Sequence, residues 1–291
     1  MKRKTWLLLA FLLYMTALTA QGGETFTDSV RINGHMRHYR MVLPPQAKPG
    51  IPLVVLLHGY GGGGFDAPQT CMDSIARTRG FALCVPEGLR DPKGQRSWNV
   101  GYPFQEGWQV DDVDDLCQLA RYVQKTYRLS ATDAFLTGMS NGGEMCYLMA
   151  YRNQTTFKAI ASVAGLTLQW MYKELDARRP VPFMEIHGTE DRVSEWSGDL
   201  ANQGGWGAYL PVPIAIGRMV ALNRCTHEEV RPVPVASPHN GHQLFLHHYE
   251  GGDAGCDVWL YRVVGGTHCW HTDDMNTGDV IWRFFSQFVG K

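Results

Sequence analysis

Residues 133–143 read Asp-Ala-Phe-Leu-Thr-Gly-Met-Ser-Asn-Gly-Gly and place Ser140 between two glycines at the end of an apolar run. The run before the serine predicts a strand, and the residues after it predict a helix. Because glycine has no Cβ, Gly138 and Gly142 let the backbone pass closely on both sides of such a strand-to-helix turn. The turn lifts the serine hydroxyl out of the sheet and directs the first helical amides toward it. The stretch therefore predicts a nucleophilic serine, with a glycine-rich loop of no catalytic role as the alternative.

A series of short apolar segments on both sides of this turn predicts the rest of the fold. Continuous apolar strands that alternate with helices indicate a parallel sheet covered on both faces. Helical spacing follows Asp111 and Asp112, and a final helix is predicted to end at Gly290. We expect one α/β domain over residues 23–291, with a mostly parallel central sheet and helices on both faces. The predicted strands are residues 38–43, 53–57, 81–85, 134–137, 159–163, 182–186 and 258–263.

The first residues have the three-part pattern of a secretory signal peptide. Lys2, Arg3 and Lys4 precede an apolar stretch, residues 6–18, and small residues follow it. The stretch is too short for a spanning helix, so residues 1–22 are predicted to be a signal peptide. We therefore expect a secreted or periplasmic protein without a stable membrane anchor. The net charge of −1 and the lack of a basic run after the signal argue against nucleic-acid and anionic-membrane partners.

Neither the acidic residues nor the cysteines form a metal-binding pattern. The carboxylates of residues 111–115 stand at a predicted helix start, where unpaired amides and the helix dipole favour them. The seven cysteines contain no C-x-x-C pair, so we expect neither zinc nor another cofactor. Export permits disulfides, and the odd count leaves at least one thiol free or paired between chains. A bridge between Cys225 and Cys256 would tether the long irregular stretch that these residues flank.

A serine hydroxyl becomes a nucleophile when a histidine takes its proton and a carboxylate fixes that histidine. After this type of turn the chain order is serine, then aspartate or glutamate, then histidine. Asp191 follows the sixth predicted strand and His268 follows the seventh, so both fall on the sheet edge that carries Ser140. Glu190 is the neighbouring alternative acid. We expect Ser140, Asp191 and His268 to form a catalytic triad.

The other histidines are expected to have different roles. His242, His247 and His248 lie in a polar stretch where solvent-exposed histidine is the ordinary case. His187 is predicted to pack beside the acid, and His271 to line the cleft.

A glycine-rich segment after the second predicted strand suits an oxyanion hole. Residues 57–64 read Leu-His-Gly-Tyr-Gly-Gly-Gly-Gly. One backbone donor is expected from Asn141, directly after the nucleophile, and the second from Tyr60, with Gly61 as the alternative. The segment lacks the Lys-Ser/Thr ending of a P-loop and the G-x-G-x-x-G pattern of a dinucleotide site, so a phosphate-binding loop is not expected.

With these residues placed, the chain resembles the secreted serine esterases grouped with polyhydroxybutyrate depolymerases, feruloyl esterases and acetylxylan esterases. The resemblance runs from about Arg37 to the C-terminus and implies the α/β-hydrolase fold, the same triad and a Cys225–Cys256 disulfide. Two residues depart from the family pattern, since Cys269 stands where threonine is common and His271 where proline is usual. The motifs that carry the resemblance are residues 57–61, 86–88, 97–99, 110–113, 138–143, 187–191, 223–225 and 265–270.

The substrate expected from this resemblance is an ester linked to plant cell-wall polysaccharide. Polyester depolymerases often carry a polymer-binding module behind a linker, and none is evident here, so we expect feruloyl or acetyl groups on xylan. A polyhydroxybutyrate depolymerase is the alternative, and a serine peptidase or a non-catalytic sugar-binding relative are other classes. We expect a monomer or a small homo-oligomer. The candidate stacking residues, each with core packing as the alternative, are Trp98, Trp196, Trp206, Tyr209 and Trp270.

Overall fold

The computed structural model describes residues 23–63 and 70–291. The predicted signal peptide and Gly64 of the glycine-rich segment lie outside the described residues. Within the described residues no helix has both the length and the apolar character needed to span a bilayer.

Twelve strands and six α-helices are found in the described residues. The strands are β1 (Glu24–Ile32), β2 (His35–Leu43), β3 (Leu53–Leu57), β4 (Ala82–Pro86), β5 (Leu89–Arg90), β6 (Arg96–Ser97), β7 (Ala134–Met139), β8 (Ala159–Val163), β9 (Phe183–Gly188), β10 (His227–Val233), β11 (Gln243–Glu250) and β12 (Val258–Val264). The helices are α1 (Met72–Arg79), α2 (Asp112–Thr126), α3 (Asn141–Tyr151), α4 (Gln169–Glu174), α5 (Val212–Asn223) and α6 (Thr277–Ser286).

Ten of these strands form one sheet in the order β1-β2-β4-β3-β7-β8-β9-β12-β11-β10. The run from β4 to β12 is parallel, and antiparallel pairs extend the sheet at both edges. Strands β5 and β6 pair separately. All seven predicted strands are present, which confirms the mostly parallel α/β architecture.

Alternation along β3 explains why helices cover both faces of the sheet. Leu53, Val55 and Leu57 pack into a core layer with α2, α3 and α5. Val54 and Leu56 point to the opposite face and pack with α1 and α6. Since successive side chains of a strand point to opposite faces, a wholly apolar strand requires cover on both. The last helix ends at Ser286, four residues before the predicted end, and turns follow it.

The prediction that the segment between Cys225 and Cys256 is irregular is wrong. The segment contains the antiparallel strands β10 and β11. These edge strands are largely polar, so they lack the apolar runs that revealed the central strands. The disulfide implied by the resemblance is also not formed. Both thiols are free, and the Cys225 Sγ lies 3.6 Å from the carbonyl oxygen of Cys256. Backbone pairing of the two strands holds the segment instead.

A buried ion-pair cluster joins the start of α2 to the antiparallel edge. Asp111 caps the helix by accepting from the amides of Val113 and Asp114, as carboxylates at a helix start are expected to do. Arg37 of β2 is 2 % exposed and bonds to the carboxylates of both Asp112 and Asp115. The acidic residues therefore pair with an arginine and the helix terminus.

We expect Arg37→Met to lower the free energy of unfolding by about 3–5 kcal/mol, because it leaves two buried carboxylates without their cation. The measurement is urea denaturation at pH 7. Arg178→Ala is the matched control, since Arg178 and its partner Asp176 are both exposed, and we expect little or no change there. Equal losses in the two variants would contradict the role of the buried cluster.

Candidate active site

Ser140 lies on a strained turn between β7 and α3, where its backbone has φ 56° and ψ −122°. Such a conformation costs a non-glycine residue on the order of 1–3 kcal/mol. The flanking glycines are required by packing: a Cβ on Gly138 would lie 2.6 Å from the backbone of Gly142, and a Cβ on Gly142 would lie 2.6 Å from the carbonyl oxygen of Leu57. The turn therefore has the geometry that the sequence predicts.

Asp191 and His268 meet at the same edge of the sheet. They follow β9 and β12, which are parallel neighbours, so their carboxyl ends lie side by side. The His268 Nδ1 lies 2.7 Å from the Asp191 Oδ2. The other oxygen of Asp191 accepts from the amides of Val193 and Ser194, both at 2.8 Å. Glu190 is exposed, so Asp191 rather than Glu190 is the partner of the histidine.

Burial tends to raise the pKa of Asp191, but the hydrogen bonds from His268 and from the two amides outweigh it. The pKa therefore lies below its ordinary value, and the carboxylate stays ionised beside the imidazole. An ionised partner fixes the Nδ1–H tautomer of His268 and leaves Nε2 available as a base.

The contact between the serine and the histidine is not made in this structure. Among the described residues, the Ser140 Oγ has no hydrogen-bond partner. Both residues nevertheless border cavities that Tyr60 also lines, His268 the cavity of about 340 Å³ and Ser140 a smaller one. Catalytic hydrogen bonds of this kind are often long before substrate binds, so the geometry is compatible with a serine–histidine pair.

The backbone amides of Tyr60 and Asn141, the predicted oxyanion donors, are both free of backbone acceptors among the described residues. A Cβ on Gly59 would lie only 3.3 Å from the Ser140 Cβ. The alternative donor, Gly61, is wrong because its amide donates to the carbonyl oxygen of Arg96 at 2.8 Å. The loop therefore leaves the Tyr60 amide without an acceptor, near Ser140.

Two side chains that the sequence analysis missed hold this loop in place. The amide of Gly88 donates to the His58 Nε2 at 2.9 Å, so the ring proton is on Nδ1 and is donated to the Gly59 carbonyl oxygen at 2.7 Å. The Asn141 side chain accepts from the amide of Trp98 at 2.7 Å and donates to its carbonyl oxygen at 3.1 Å. The Trp98 indole N–H in turn donates to the His58 carbonyl oxygen at 3.0 Å.

The candidate stacking residues divide by burial. Trp98 and Tyr209 are 0 % and 1 % exposed, so both are wrong as substrate contacts and belong to the core. Trp270 is mostly buried and contributes to the wall of a cavity of about 340 Å³ that His268 also lines. Trp196 is half-buried in a shallow cavity with Asp191.

Trp206 belongs to an aromatic cluster beside Ser140. Its ring centroid lies 5.3 Å from those of Tyr60 and Tyr102 and 6.0 Å from that of Phe104. Tyr60 is fixed by its hydroxyl, which donates to Asp91 at 2.9 Å. The cluster gives the site an apolar, ring-lined wall.

Two further histidines are buried near the site. His187 packs beside the acid as predicted, with Nδ1 2.8 Å from the Glu185 Oε1 and Nε2 2.7 Å from the Ser194 carbonyl oxygen. His271 is 1 % exposed, so the prediction that it lines the cleft is wrong. Burial tends to lower its pKa, but the Asp274 carboxylate at 3.0 Å and the Cys269 thiol outweigh this and raise it to about 9.

The edge strands bring together one group of potential metal ligands. The ligand atoms of Glu229, His248 and Glu250 lie within 4.8 Å of one another. Both ring nitrogens of His248 already face carboxylates, those of Glu250 at 3.0 Å and Asp257 at 3.1 Å. The imidazole and carboxylates therefore satisfy one another on this partly exposed face.

Glu144 is a buried carboxyl group that no local pattern indicates. It lies in the first turn of α3, is 2 % exposed and borders a small slot together with Ser140. Burial raises its pKa to about 8, and the hydroxyl of Tyr102 only partly opposes this shift. Its Oε2 has no hydrogen-bond partner among the described residues.

We expect Glu144→Gln to stabilise the protein increasingly as pH rises from about 4.5 to about 8. The ordinary pKa of 4.5 applies to the unfolded chain, which releases the proton over this range while the folded protein retains it. The wild type therefore loses on the order of 1.4 kcal/mol of stability per pH unit relative to the variant. Thermal unfolding of both proteins at several pH values measures the difference. A difference that stays constant between pH 4.5 and pH 8 would contradict the neutral, buried acid.

Known proteins with similar sequences are esterases. The family described as Esterase PHB depolymerase matches residues 37–179. Feruloyl esterase D of Neurospora crassa is 25% identical over 290 residues, covering 93% of this chain and 88% of that protein. The bifunctional acetylxylan esterase/xylanase XynS20E of Neocallimastix patriciarum is 27% identical over 171 residues, covering 58% of this chain. The chain spans only 24% of the length of that bifunctional protein.

A solved esterase structure has the same architecture as this chain. The acetyl xylan esterase from Aspergillus awamori superposes with a TM-score of 0.63 at 13% identity and covers 90% of this chain and 99% of its own. At that identity the likeness concerns the fold, which confirms the predicted α/β-hydrolase architecture. The chain is therefore a serine esterase with the α/β-hydrolase fold, a homologue of feruloyl and acetylxylan esterases that the Esterase PHB depolymerase family matches over residues 37–179.

Proposed function

We propose that Ser140 is the nucleophile of this esterase, His268 its general base and Asp191 the carboxylate that orients the histidine. The observation that carries the proposal is the 2.7 Å contact between the His268 Nδ1 and the Asp191 Oδ2, at the sheet edge where the Ser140 turn stands. Neither side chain of this pair is close to Ser140 in the chain. Two strands and the turn between β7 and α3 must therefore end at one edge to assemble the group.

The mechanism that follows is acyl transfer through a covalent intermediate. His268 accepts the Ser140 proton as the hydroxyl oxygen attacks the ester carbonyl carbon. The amides of Tyr60 and Asn141 donate to the negative oxygen that forms, and one such donor is typically worth on the order of 3 kcal/mol. The alcohol leaves with the proton from His268. Water then attacks the acyl-enzyme by the same steps, which releases the acid and restores Ser140.

The substrate class we propose is an ester of plant cell-wall polysaccharide that carries feruloyl or acetyl groups. The names of the feruloyl and acetylxylan esterase relatives support this class. The half-buried rings of Tyr60, Phe104 and Trp206 near Ser140 also support it, because such rings stack well on sugars and on phenolic groups. A polyhydroxybutyrate depolymerase is the second candidate, and the description of the matching family favours it.

We also propose that the chain is exported and that residues 23–291 form the catalytic unit. The basic, apolar and small-residue pattern of residues 1–22 supports export to the periplasm or the medium. The catalytic unit acts as a monomer or a small homo-oligomer on polysaccharide-linked esters.

We expect Ser140→Ala to lower kcat/KM on a methyl hydroxycinnamate or an aryl acetate at least about a thousandfold, because the nucleophile is lost while the oxyanion donors remain. A fluorophosphonate probe should label the wild type at Ser140 and leave the variant unlabelled. Ser286→Ala, an exposed serine on α6, is the control and should retain full activity and labelling. Undiminished hydrolysis by Ser140→Ala would contradict the assignment.

We expect a methyl hydroxycinnamate, an acetylated xylan and a hydroxybutyrate oligomer to be hydrolysed at clearly different rates, with the polyester slowest. The physical reason is the ring-lined wall beside Ser140, which favours aromatic and sugar surfaces. Initial rates of acid release, compared at equal ester concentration, measure the ranking. Release of hydroxybutyrate faster than ferulate or acetate would favour the second candidate.

A further inference from the structure

A small slot next to Ser140 has a chemistry that acyl transfer alone does not explain. Its walls include Tyr60, Tyr102, Leu166 and Trp206, and Ser140 and Glu144 also border it. The free space is about 10 Å³, which is enough for one water-sized group. The slot therefore has room for one small group next to Ser140.

The polar surface of this slot includes a carboxyl group with an unused oxygen. The Tyr102 hydroxyl, which borders the slot with Glu144, accepts from the Asn141 side chain at 3.3 Å. The Glu144 Oε2 is buried and has no hydrogen-bond partner among the described residues. An unpaired buried polar atom costs about 1–3 kcal/mol, so a binding partner would recover that free energy.

The protonation state of Glu144 decides what kind of partner fits. Burial keeps the carboxyl neutral at pH 7, because its pKa is raised to about 8. A neutral carboxylic acid offers one O–H donor as well as acceptor oxygens. It can therefore donate a hydrogen bond to an uncharged oxygen, which an ordinary ionised glutamate could not do.

We propose that Glu144 binds an aliphatic hydroxyl group that stands next to the scissile ester of the substrate. This inference rests on the proposed function, since it places the ester at Ser140. An aromatic ring is far too large for the slot, and a methyl group would fill it but leave the Oε2 unpaired. A hydroxyl has the right size and accepts from the carboxylic acid. Glu144 is thus a specificity-determining residue that recognises hydroxylated esters.

The hydroxyl can belong to either half of the ester, and two matched substrate pairs distinguish the halves. In the alcohol half, 2-hydroxyethyl acetate is compared with propyl acetate, which replaces the hydroxyl by a methyl group. In the acyl half, ethyl glycolate is compared with ethyl propionate by the same replacement. Intrinsic reactivity cancels when the ratio of kcat/KM within a pair is compared between wild type and variant.

The variants are Glu144→Met, which removes the donor, and Glu144→Gln, which keeps the shape and supplies an amide N–H donor. We expect the preference for the hydroxylated ester in one pair to fall roughly tenfold or more in Glu144→Met relative to wild type. Glu144→Gln should keep most of the preference. Both variants remove a buried acid and should remain folded, which thermal unfolding checks.

An unchanged preference of Glu144→Met in both pairs would overturn the inference, as would a Glu144→Gln variant that loses as much preference as Glu144→Met. Failure of the proposed function gives a different result. In that case the wild type hydrolyses none of the four esters, or Ser140→Ala hydrolyses them as well as the wild type does. If the wild type hydrolyses the esters and all three proteins show the same preferences, only the proposed role of Glu144 is contradicted.

Discussion

The close contact between the turn that carries Ser140 and the end of β3 constrains the whole site. Gly142 lies so near β3 that a Cβ would come within 2.6 Å of the Leu57 carbonyl oxygen and 2.8 Å of that of His58. The residues that follow β3 form the loop of His58, Gly59 and Tyr60. Because β3 and β7 are parallel neighbours, their pairing brings Ser140 close to the loop that carries Tyr60.

The loop of His58, Gly59 and Tyr60 is held in place by hydrogen bonds from buried polar groups. His58 bonds to the loop and to the amide of Gly88, and Trp98 links the backbone of His58 to the side chain of Asn141. Donors aimed in advance at a developing charge need no reorganisation during the reaction. The network therefore connects core packing to the two proposed oxyanion donors, since the wholly buried Trp98 bonds to both Asn141 and His58.

Glu144, by contrast, lowers the stability of the fold at the candidate site. A buried carboxyl group with an unpaired oxygen lowers stability, and such local conflicts are concentrated at functional sites. Its position in the first turn of α3 follows directly from the turn at Ser140, so the same backbone geometry leaves Ser140 half-exposed and buries Glu144. Stability and recognition of substrate are thus linked through one helix start.

The sequence by itself determined the seven central strands, the Ser140 turn and the chain order of serine, acid and histidine. These features follow from local patterns, namely apolar runs and glycines at fixed spacing. The edge strands β1, β10 and β11 were not predicted, because polar residues occupy much of their surface and no apolar run marks them.

Only the tertiary structure decided which aromatic side chains reach the site, which loop amide is available and where Glu144 lies. Trp98 is buried, and the Gly61 amide donates to the Arg96 carbonyl oxygen. Glu144 borders the slot beside Ser140. Each of these outcomes depends on contacts between segments far apart in the chain. Burial and hydrogen-bond partners of this kind arise only when the strands pair and the helices pack on them.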